Sequence, residues 1–254
     1  MCSSDLLFGE LCSIVESRKT KVESDRWRYV RLENDGQEGW VDAKMICPMK
    51  AEEYAAHKEA LQTAAMVAMP MAYAVSENNG QTIPLTAGTK LTNYKLQMTN
   101  GASSARFEVR GVGVRIDPSM VSTQPREINQ QNLLQAVRFF LNIPYLWGGK
   151  NAMGMDCSGF TQVVMSLFGK SLLRNASEQA TQGTPVSSLS EAQASDLVFF
   201  DHEDGKISHV GIVIDSERVI HCSGRVKVEK LDEKGIFSAE QGDYTHHLIQ
   251  IRRL

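Results

Sequence analysis

The order of secondary-structure patterns after residue 126 limits what this chain can fold into. Apolar residues recur at helical spacing between Glu127 and Ile143, and Pro144 ends that segment. A second helical pattern starts near Cys157 and stops at Gly169. Four strand-like runs follow: DLVFF, SHVGIVID, RVIHCSG and HHLIQIRRL. We therefore predict an α+β fold for this part of the chain, with helices packed on an antiparallel sheet.

Each of these two helices has one apolar face that should be buried. The predicted face of the first consists of Leu133, Leu134, Val137, Phe140 and Leu141, and that of the second of Phe160, Val163, Val164, Leu167 and Phe168.

The first 118 residues have the pattern of two small β units joined by a helix. Short β-prone runs alternate with polar turns in residues 1–50, where Asp35 and Gly36 mark one turn. Residues 51–66 are rich in Ala, Glu, Lys and Leu and contain neither Gly nor Pro, which predicts a helical linker. A second β unit is predicted over 67–118, and a Pro-, Ser- and Thr-rich stretch then leads into the last domain, 119–254.

Composition excludes several classes of protein. The chain of 254 residues is 42% hydrophobic and 22% charged, as expected of a packed globular protein. A net charge of −3 and the lack of any Lys/Arg-rich block predict no nucleic acid partner. No apolar run approaches the length of a membrane span, and the N-terminus has no leader pattern, which leaves a cytoplasmic or periplasmic location open. We expect a monomer.

Five scattered cysteines without a C-x-x-C pair predict neither a disulfide framework nor a structural zinc site. Acids and histidines in DHED, residues 201–204, and the pair His246 and His247 are candidate metal ligands. No H-E-x-x-H motif or second cluster supports them, so a solvated loop and a strand end are the interpretations. We predict no metal and no cofactor.

Cys157 lies where a nucleophilic cysteine could be activated. Asp156 is a plausible N-cap, which would place Cys157 at the start of the second helix, near its free N–H groups and partial positive charge. The alternative is a cysteine that only fills the core, since free cysteines are among the most buried residues. The choice depends on a base within reach of the thiol.

Two histidines downstream could supply that base. His209 begins one strand, and His221 lies twelve residues later, on the next. A two-residue turn at Ser216 and Glu217 would pair His221 with Ile212 and point the two histidines to opposite faces. A three-residue loop from Asp215 to Glu217 would place His221 opposite Gly211, on the face of His209. We predict the second register because it leaves the other face entirely apolar.

The segments YLWGGKNAMGMDCSGF, SHVGIVI and VIHCSG, in this order and spacing, resemble the catalytic core of the NlpC-type, papain-like cysteine peptidases, which cut bacterial cell-wall peptides. The resemblance covers about residues 126–254. It implies that Cys157 is the nucleophile, that His209 is the general base and holds Cys157 as a thiolate, and that His221 orients His209. The chemistry of a nucleophilic cysteine asks for the same three roles.

The N-terminal segments DLLFGE and GQEGWV resemble the bacterial SH3-like modules of a subgroup, the γ-D-glutamyl-L-diamino acid endopeptidases. The resemblance implies two small SH3-like β-barrel modules before the catalytic domain. It also implies that Glu10 and Asp156 bind the ammonium group of the substrate and that Trp147 walls the pocket. Ser158 would bind the D-Glu carboxylate, and a further hydroxyl could come from Ser177.

The resulting functional prediction is a cysteine endopeptidase. Its substrate would be a murein peptide with a free N-terminal L-Ala, cut between γ-D-Glu and the diamino acid to release L-Ala-γ-D-Glu. Two alternatives remain open: an amidase or acyltransferase that uses the same Cys-His core on another substrate, and a catalytically inert module that binds wall fragments.

Overall fold

The computed structural model describes residues 4–15, 26–99, 102–201 and 205–254. The chain splits into two compact units, Met1–Gln124 and Pro125–Leu254, called here the N-terminal unit and the C-terminal unit. The division falls inside the Pro-, Ser- and Thr-rich stretch. Of the candidate metal ligands in DHED, residues 202–204 lie outside the described residues. Within the described part of the chain, no helix has the length and apolar character needed to cross a membrane.

The first sheet of the N-terminal unit is antiparallel with the order β1-β2-β3. Its strands are β1, Cys12–Ile14; β2, Trp27–Leu32; and β3, Glu38–Asp42. Gly36 has a φ of 72° in the connection from β2 to β3, a conformation that glycine adopts without strain. The predicted turn at Asp35 and Gly36 is therefore confirmed.

The helix that follows is shorter than predicted. Helix α1 spans Ala51–Ala60, and residues 65–67 form a strand instead of a continuation of the helix. This strand belongs to a three-stranded sheet made of β4, Ala65–Val67; β7, Lys90–Leu91; and β11, Val121–Ser122. Pairing with β7 and β11 satisfies the backbone hydrogen-bonding groups of residues 65–67, and this overrides the helical propensity of their sequence.

The largest sheet of the N-terminal unit has five antiparallel strands in the order β6-β5-β10-β9-β8. They are β5, Met71–Ser76; β6, Thr82–Thr86; β8, Lys95–Thr99; β9, Ala102–Val109; and β10, Val112–Ile116. Their buried side chains, among them Leu85, Phe107 and Val114, form one core with Leu91 of β7. Short 3-10 turns at Ala43–Met45 and Pro118–Met120 complete the unit. The SH3-like character of the two predicted modules stays a prediction.

The described residues of the C-terminal unit form three α-helices, α2, Gln130–Val137; α3, Cys157–Ser166; and α4, Ala176–Gln179; and a 3-10 turn at Leu189–Glu191. The predicted face of α2 is only partly right. Leu133, Val137 and Phe140 are buried. Leu134 is exposed within the helix, one position away from Leu133, and Leu141 is exposed after the helix ends at Val137 and the chain turns. The predicted face of α3 is buried throughout, and Gly169, with a φ of 72°, follows its end as expected.

The strands of the C-terminal unit form a hairpin and one large sheet. The hairpin pairs β12, Lys150–Asn151, with β13, Gly154–Met155. The sheet contains β14, Thr184–Val186; β15, Leu197–Asp201; β16, His209–Asp215; β17, Arg218–Ser223; β18, Arg225–Asp232; β19, Gly235–Ser238; and β20, Asp243–Arg253. Its order is β14-β20-β15-β16-β17-β18-β19, and β19 also pairs with β20. This pairing closes six strands into a barrel, a closure that the predicted antiparallel sheet did not include.

The pairing of β16 with β17 determines how the two histidines face each other. His221 lies opposite Gly211, so the predicted register is right. The predicted reason is wrong, because Asp215 pairs with Arg218 across a two-residue connection. A bulge between Val213 and Asp215 absorbs one residue and restores the register that a three-residue loop would have given.

Candidate active site

Cys157 is the first residue of α3, the position that the sequence predicted. The carboxylate of Asp156 accepts a hydrogen bond from the backbone N–H of Gly159 at 2.7 Å, which confirms Asp156 as the N-cap. Helix α3 packs against β16 and β17. The thiol of Cys157 contacts the carbonyl oxygen of Ser208 at 4.0 Å, so it lies against the residue that precedes His209.

The surroundings of the Cys157 thiol oppose its ionisation. Only 7% of Cys157 is exposed. Burial and the charge of Asp156 raise its pKa to about 11, although the backbone N–H groups of Val210 and Ser158 act to lower it. These surroundings favour the neutral thiol, so a base must remove its proton as the sulfur reacts, and a resting thiolate held by His209 stays a prediction.

His209 and His221 are in direct contact. Nε2 of His209 lies 2.8 Å from Nδ1 of His221, a hydrogen-bonding distance, and the two rings are almost perpendicular. His209 is 5% exposed and His221 is fully buried. Gly211 makes this approach possible, because a Cβ there would lie 2.6 Å from Cγ2 of Val219 and 3.2 Å from Cβ of His221.

A carboxylate that the sequence analysis missed lies behind His221. Oε2 of Glu229, on β18, is 2.9 Å from Nε2 of His221 and 3.1 Å from Nζ of Lys227. Burial acts to raise the pKa of Glu229, but the contacts with His221 and Lys227 outweigh it and hold the pKa at about 2. Burial also lowers the pKa of His221, so this ring is neutral at physiological pH.

His246 is the second missed residue, since the sequence suggested only a strand end. It lies on β20, is buried, and stacks on the ring of His209 with a centroid distance of 4.1 Å and an interplanar angle of 33°. Its Nδ1 lies 2.8 Å from Oγ1 of Thr245. Its contact with His209 depends on the pairing of β15 with both β20 and β16, which no local pattern reveals.

The third missed residue is Arg174, which is almost completely buried and pairs with Asp156. Its guanidinium donates to both carboxylate oxygens of Asp156, at 2.9 and 2.6 Å, and to Oγ of Ser158 at 2.9 Å. The backbone N–H of Gly148 donates to the same carboxylate at 2.9 Å. Asp156 is therefore an N-cap held on several sides, and a substrate ammonium at Asp156 would have to share it with Arg174.

The other predicted site residues lie at different places. Trp147 precedes Gly148 and is 67% exposed. Ser177 is exposed on α4, a helix anchored beside the site because its Gln179 side chain donates to the carbonyl oxygen of Ser158 at 3.0 Å. Glu10 belongs to the N-terminal unit, where its carboxylate accepts the backbone N–H of Leu7 at 2.9 Å.

In the described residues, Cys157 at the start of α3 lies against Ser208, and the next residue, His209, begins a line of three ionisable groups in contact: His209, His221 and Glu229. This arrangement can deliver a thiol to an electrophile and move its proton to an imidazole. In residues 4–15, 26–99, 102–201 and 205–254, no group of three or more His, Cys, Asp or Glu side chains is arranged to hold a metal ion.

Comparison with curated proteins finds relatives of the C-terminal part. The gamma-D-glutamyl-L-lysine dipeptidyl-peptidase of Bacillus subtilis (strain 168) is 37% identical over 125 residues, which are 48% of this chain and 40% of that protein. The protein of the same name from Bacillus cereus is 35% identical over 92 residues, 35% of this chain and 27% of that protein. The chain thus spans less than half the length of either relative.

Solved structures share the fold. An NlpC/P60 family protein from Bacillus cereus ATCC 10987 superposes with a TM-score of 0.76 at 21% identity, over 98% of this chain and 80% of that one. An NlpC/P60 endopeptidase from Photobacterium damselae subsp. piscicida gives 0.60 at 16% identity, over 89% of this chain and 58% of that one. The model of the NlpC/P60 family matches residues 142–245, which include Cys157 and both histidines of the pair. The chain therefore contains an NlpC/P60 domain, the domain of a cysteine peptidase family that acts on peptidoglycan.

Proposed function

We propose that this protein is a cysteine endopeptidase that hydrolyses the bond between γ-D-Glu and the diamino acid of murein peptides. The substrate would carry a free N-terminal L-Ala, and L-Ala-γ-D-Glu would be released. The observation that carries the proposal is the contact between the Cys157 thiol and the start of the strand that bears His209. The names of the two Bacillus relatives support the choice of bond.

The reaction begins with a neutral thiol. His209 takes the proton of Cys157 while the sulfur attacks the γ-glutamyl carbonyl carbon, which avoids a buried thiolate in the resting enzyme. The imidazolium of His209 then gives this proton to the leaving amine of the diamino acid. Water, deprotonated by the same ring, attacks the thioester, and the thiol of Cys157 forms again as the dipeptide leaves.

The start of α3 would stabilise the oxyanion of each tetrahedral intermediate. The first N–H groups of a helix have no acceptor within the helix, and its N-terminus carries a partial positive charge. The backbone N–H of Cys157 is one of these groups, because Cys157 is the first helical residue. Together with a neighbouring donor it would hold the charge as it develops.

A carboxylate would bind the ammonium group at the free amino terminus of the substrate and so select for it. Glu10, which is half-buried, and Asp156 are the candidates, and a carboxylate that a bound peptide shields from water without offering it an ammonium group would disfavour N-blocked peptides and intact wall strands. Glu10 can be tested more cleanly, since Asp156 also caps α3 and pairs with Arg174. In the same scheme Trp147 walls the pocket, and Ser158 and Ser177 offer hydroxyls to the D-Glu carboxylate.

Two SH3-like modules, at 1–50 and 67–118, would precede the catalytic domain at 119–254. The proposal assigns the first module the amine ligand Glu10. The two sheets with strands inside these ranges support a modular organisation of the N-terminal unit.

The proposal is tested with three substrates: L-Ala-γ-D-Glu-diaminopimelate, its N-acetylated form, and a simple amide with no γ-D-glutamyl group. We expect the first to be cut to L-Ala-γ-D-Glu and the other two to be poor substrates. Turnover of the amide, or transfer of its acyl group, would favour the amidase or acyltransferase alternative. Binding without turnover of any of the three would favour an inert wall-fragment module.

The Glu10→Gln variant tests the amine ligand separately. This variant should have a higher KM for L-Ala-γ-D-Glu-diaminopimelate. The ratio of kcat/KM between this peptide and its N-acetylated form should be smaller than in the unaltered enzyme. Equal cleavage of the two forms by the unaltered enzyme would contradict the proposal that a carboxylate recognises the free amino terminus of the substrate.

A further inference from the structure

The contacts of His209, His221 and Glu229 form a continuous line across three neighbouring strands. Nε2 of His209 meets Nδ1 of His221 at 2.8 Å, and Nε2 of His221 meets Oε2 of Glu229 at 2.9 Å. In the β17–β18 ladder, Lys227 lies opposite His221 and Glu229 opposite Val219, so the side chains of Glu229 and His221 share one face. His221 therefore has both ring nitrogens engaged, and His209 has its Nε2 engaged.

The charge states at the end of the line are fixed by their surroundings. With a pKa of about 2, Glu229 is ionised at neutral pH, and an ionised carboxylate can only accept hydrogen bonds. His221 is neutral, since burial lowers its pKa. The other charged groups on this side are Lys227, 3.1 Å from Glu229, and Glu240, 3.9 Å from Lys227.

These contacts allow only one arrangement of protons. An unprotonated Nε2 of His221 would point its lone pair at the ionised carboxylate of Glu229, 2.9 Å away, so the single proton of neutral His221 must be on Nε2. Nδ1 of His221 is then an acceptor, and the hydrogen bond to His209 exists only if His209 donates from its Nε2. The nitrogen of neutral His209 that can take a proton is consequently Nδ1.

We infer that Glu229 is a positioning residue that fixes the tautomers of both histidines, so that Nδ1 of His209 is the base for Cys157. This inference rests on the proposed peptidase function. Nδ1 is the ring nitrogen nearer the backbone of the histidine, and the Cys157 thiol contacts that stretch of backbone at Ser208. His246, stacked on His209, restrains the plane of the same ring.

The tautomer matters for each proton transfer. The thiol proton of Cys157 passes to Nδ1 of His209, and the resulting imidazolium keeps its Nε2 proton in the hydrogen bond to His221. The Nδ1 proton then passes to the leaving amine, which restores the original tautomer. His221 and Glu229 neither gain nor lose a proton, and the reverse tautomer of His209 would present N–H instead of a lone pair to the thiol.

Glu229→Gln reverses the constraint without changing the size of the side chain. The ammonium of Lys227 is a donor only, so it would hold the amide oxygen of Gln and leave the NH₂ group facing Nε2 of His221. His221 would then carry its proton on Nδ1 and force the proton of His209 onto Nδ1 as well.

The test is nitrogen-15 NMR of histidine-labelled full-length protein, together with kinetics on L-Ala-γ-D-Glu-diaminopimelate. We expect Nε2–H on both histidines in the wild type and Nδ1–H on His221 in Glu229→Gln. The kcat of the variant should fall by about 10²-fold or more, the lower end of what a positioned base contributes, with KM little changed. Glu240→Gln is the matched control, since Glu240 is exposed and pairs with Arg225, and should match the wild type in both measurements.

A wild-type His209 with its proton on Nδ1 would overturn the inference even if the variant did not fold. An unchanged His221 tautomer in Glu229→Gln, with kcat within about twofold of wild type, would overturn it as well. If the tautomers are as expected but the wild type cuts no γ-D-glutamyl peptide, the tautomer assignment stands and the proposed function fails.

Discussion

At the scale of single residues, the environment of Cys157 explains why this cysteine needs partners. Its thiol is buried beside the carboxylate of Asp156, and both raise its pKa. The same carboxylate is needed to cap α3 and is itself buried, so Arg174 must neutralise it. The carboxylate of Asp156 thus stabilises the start of α3 and also affects the ionisation of the Cys157 thiol.

Arg174→Met tests the structural part of this combination. It leaves Asp156 buried without its cation, and we expect a loss of about 3–5 kcal/mol in the free energy of unfolding, measured with urea. Arg218→Met is the matched control, because Arg218 forms an exposed pair with Asp215 and should cost less than about 1 kcal/mol. Equal losses of unfolding free energy in the two variants would show that the buried pair contributes no more to stability than an exposed one.

His246→Ala tests the stack on His209. An aromatic pair contributes about 0.5–1.5 kcal/mol beyond its buried area. Without His246 the ring of His209 would be held less firmly in the orientation that the reaction needs, and we expect kcat to fall by about 2- to 10-fold. His246→Phe keeps a flat ring and should retain more activity than His246→Ala. If the Phe variant is as impaired as the Ala variant, the imidazole of His246 acts through its nitrogens and the stacking account is wrong.

The sequence predicted the central residues because their signals are local. Cys157 follows an N-cap in a glycine-rich turn, and His209 and His221 start or end alternating strands. Glu229, His246 and Arg174 carry no such signal. The charged pair Lys227 and Glu229 in RVKVEKLD, out of phase with two valines, could have suggested a polar face beside His221, but only once the β17–β18 register was known.

At the scale of elements, the β16–β17 hairpin controls the geometry of the site. The bulge near Ile214 keeps His209 and His221 on one face despite the two-residue connection, and the sequence does not distinguish this bulge from a longer loop. Periodicity alone specifies which residues share a face. It does not show whether a β-bulge or a longer loop brings the two strands into register.

Gly211→Ala tests how tightly this hairpin is packed. The new Cβ would lie 2.6 Å from Cγ2 of Val219, too close for a stiff branched side chain to accommodate, and 3.2 Å from Cβ of His221. We expect lower stability and lower kcat, measured by thermal unfolding and peptide hydrolysis. Gly39→Ala is the control, since a Cβ added at Gly39 would meet nothing within 4 Å, and an equal loss in both variants would contradict the packing argument.

Glu229 also links the stability of the strand pair β17–β18 to pH. Its pKa is held at about 2, below the ordinary 4.5, so the folded state binds this proton more weakly than the unfolded chain. The ionised group therefore stabilises the fold above about pH 4.5, and this contribution is lost as the pH falls towards about 2. The difference in unfolding free energy between wild type and Glu229→Gln should shrink over this range in urea titrations. A difference that is constant with pH would contradict the ion pair.

At the scale of the whole molecule, pairing between strands distant in sequence accounts for the contact of His246 with His209, which sequence analysis could not find. The pairing of β19 with β20 closes the sheet, and β20 also pairs with β15. Because β15 lies between β20 and β16, His246 on β20 reaches His209 on β16. The composition and order of elements predicted helices and antiparallel strands, but closure depends on long-range pairing between segments whose local patterns are ordinary.

The central claim is that the Cys157 thiol is the nucleophile of a peptidase. The most direct measurement is the release of L-Ala-γ-D-Glu from L-Ala-γ-D-Glu-diaminopimelate, followed by mass spectrometry, for the wild type, Cys157→Ala and Cys47→Ala. Cys47 is an exposed free cysteine of the N-terminal unit and serves as the control. We predict release by the wild type and Cys47→Ala and none by Cys157→Ala; release by Cys157→Ala at the wild-type rate would contradict the account.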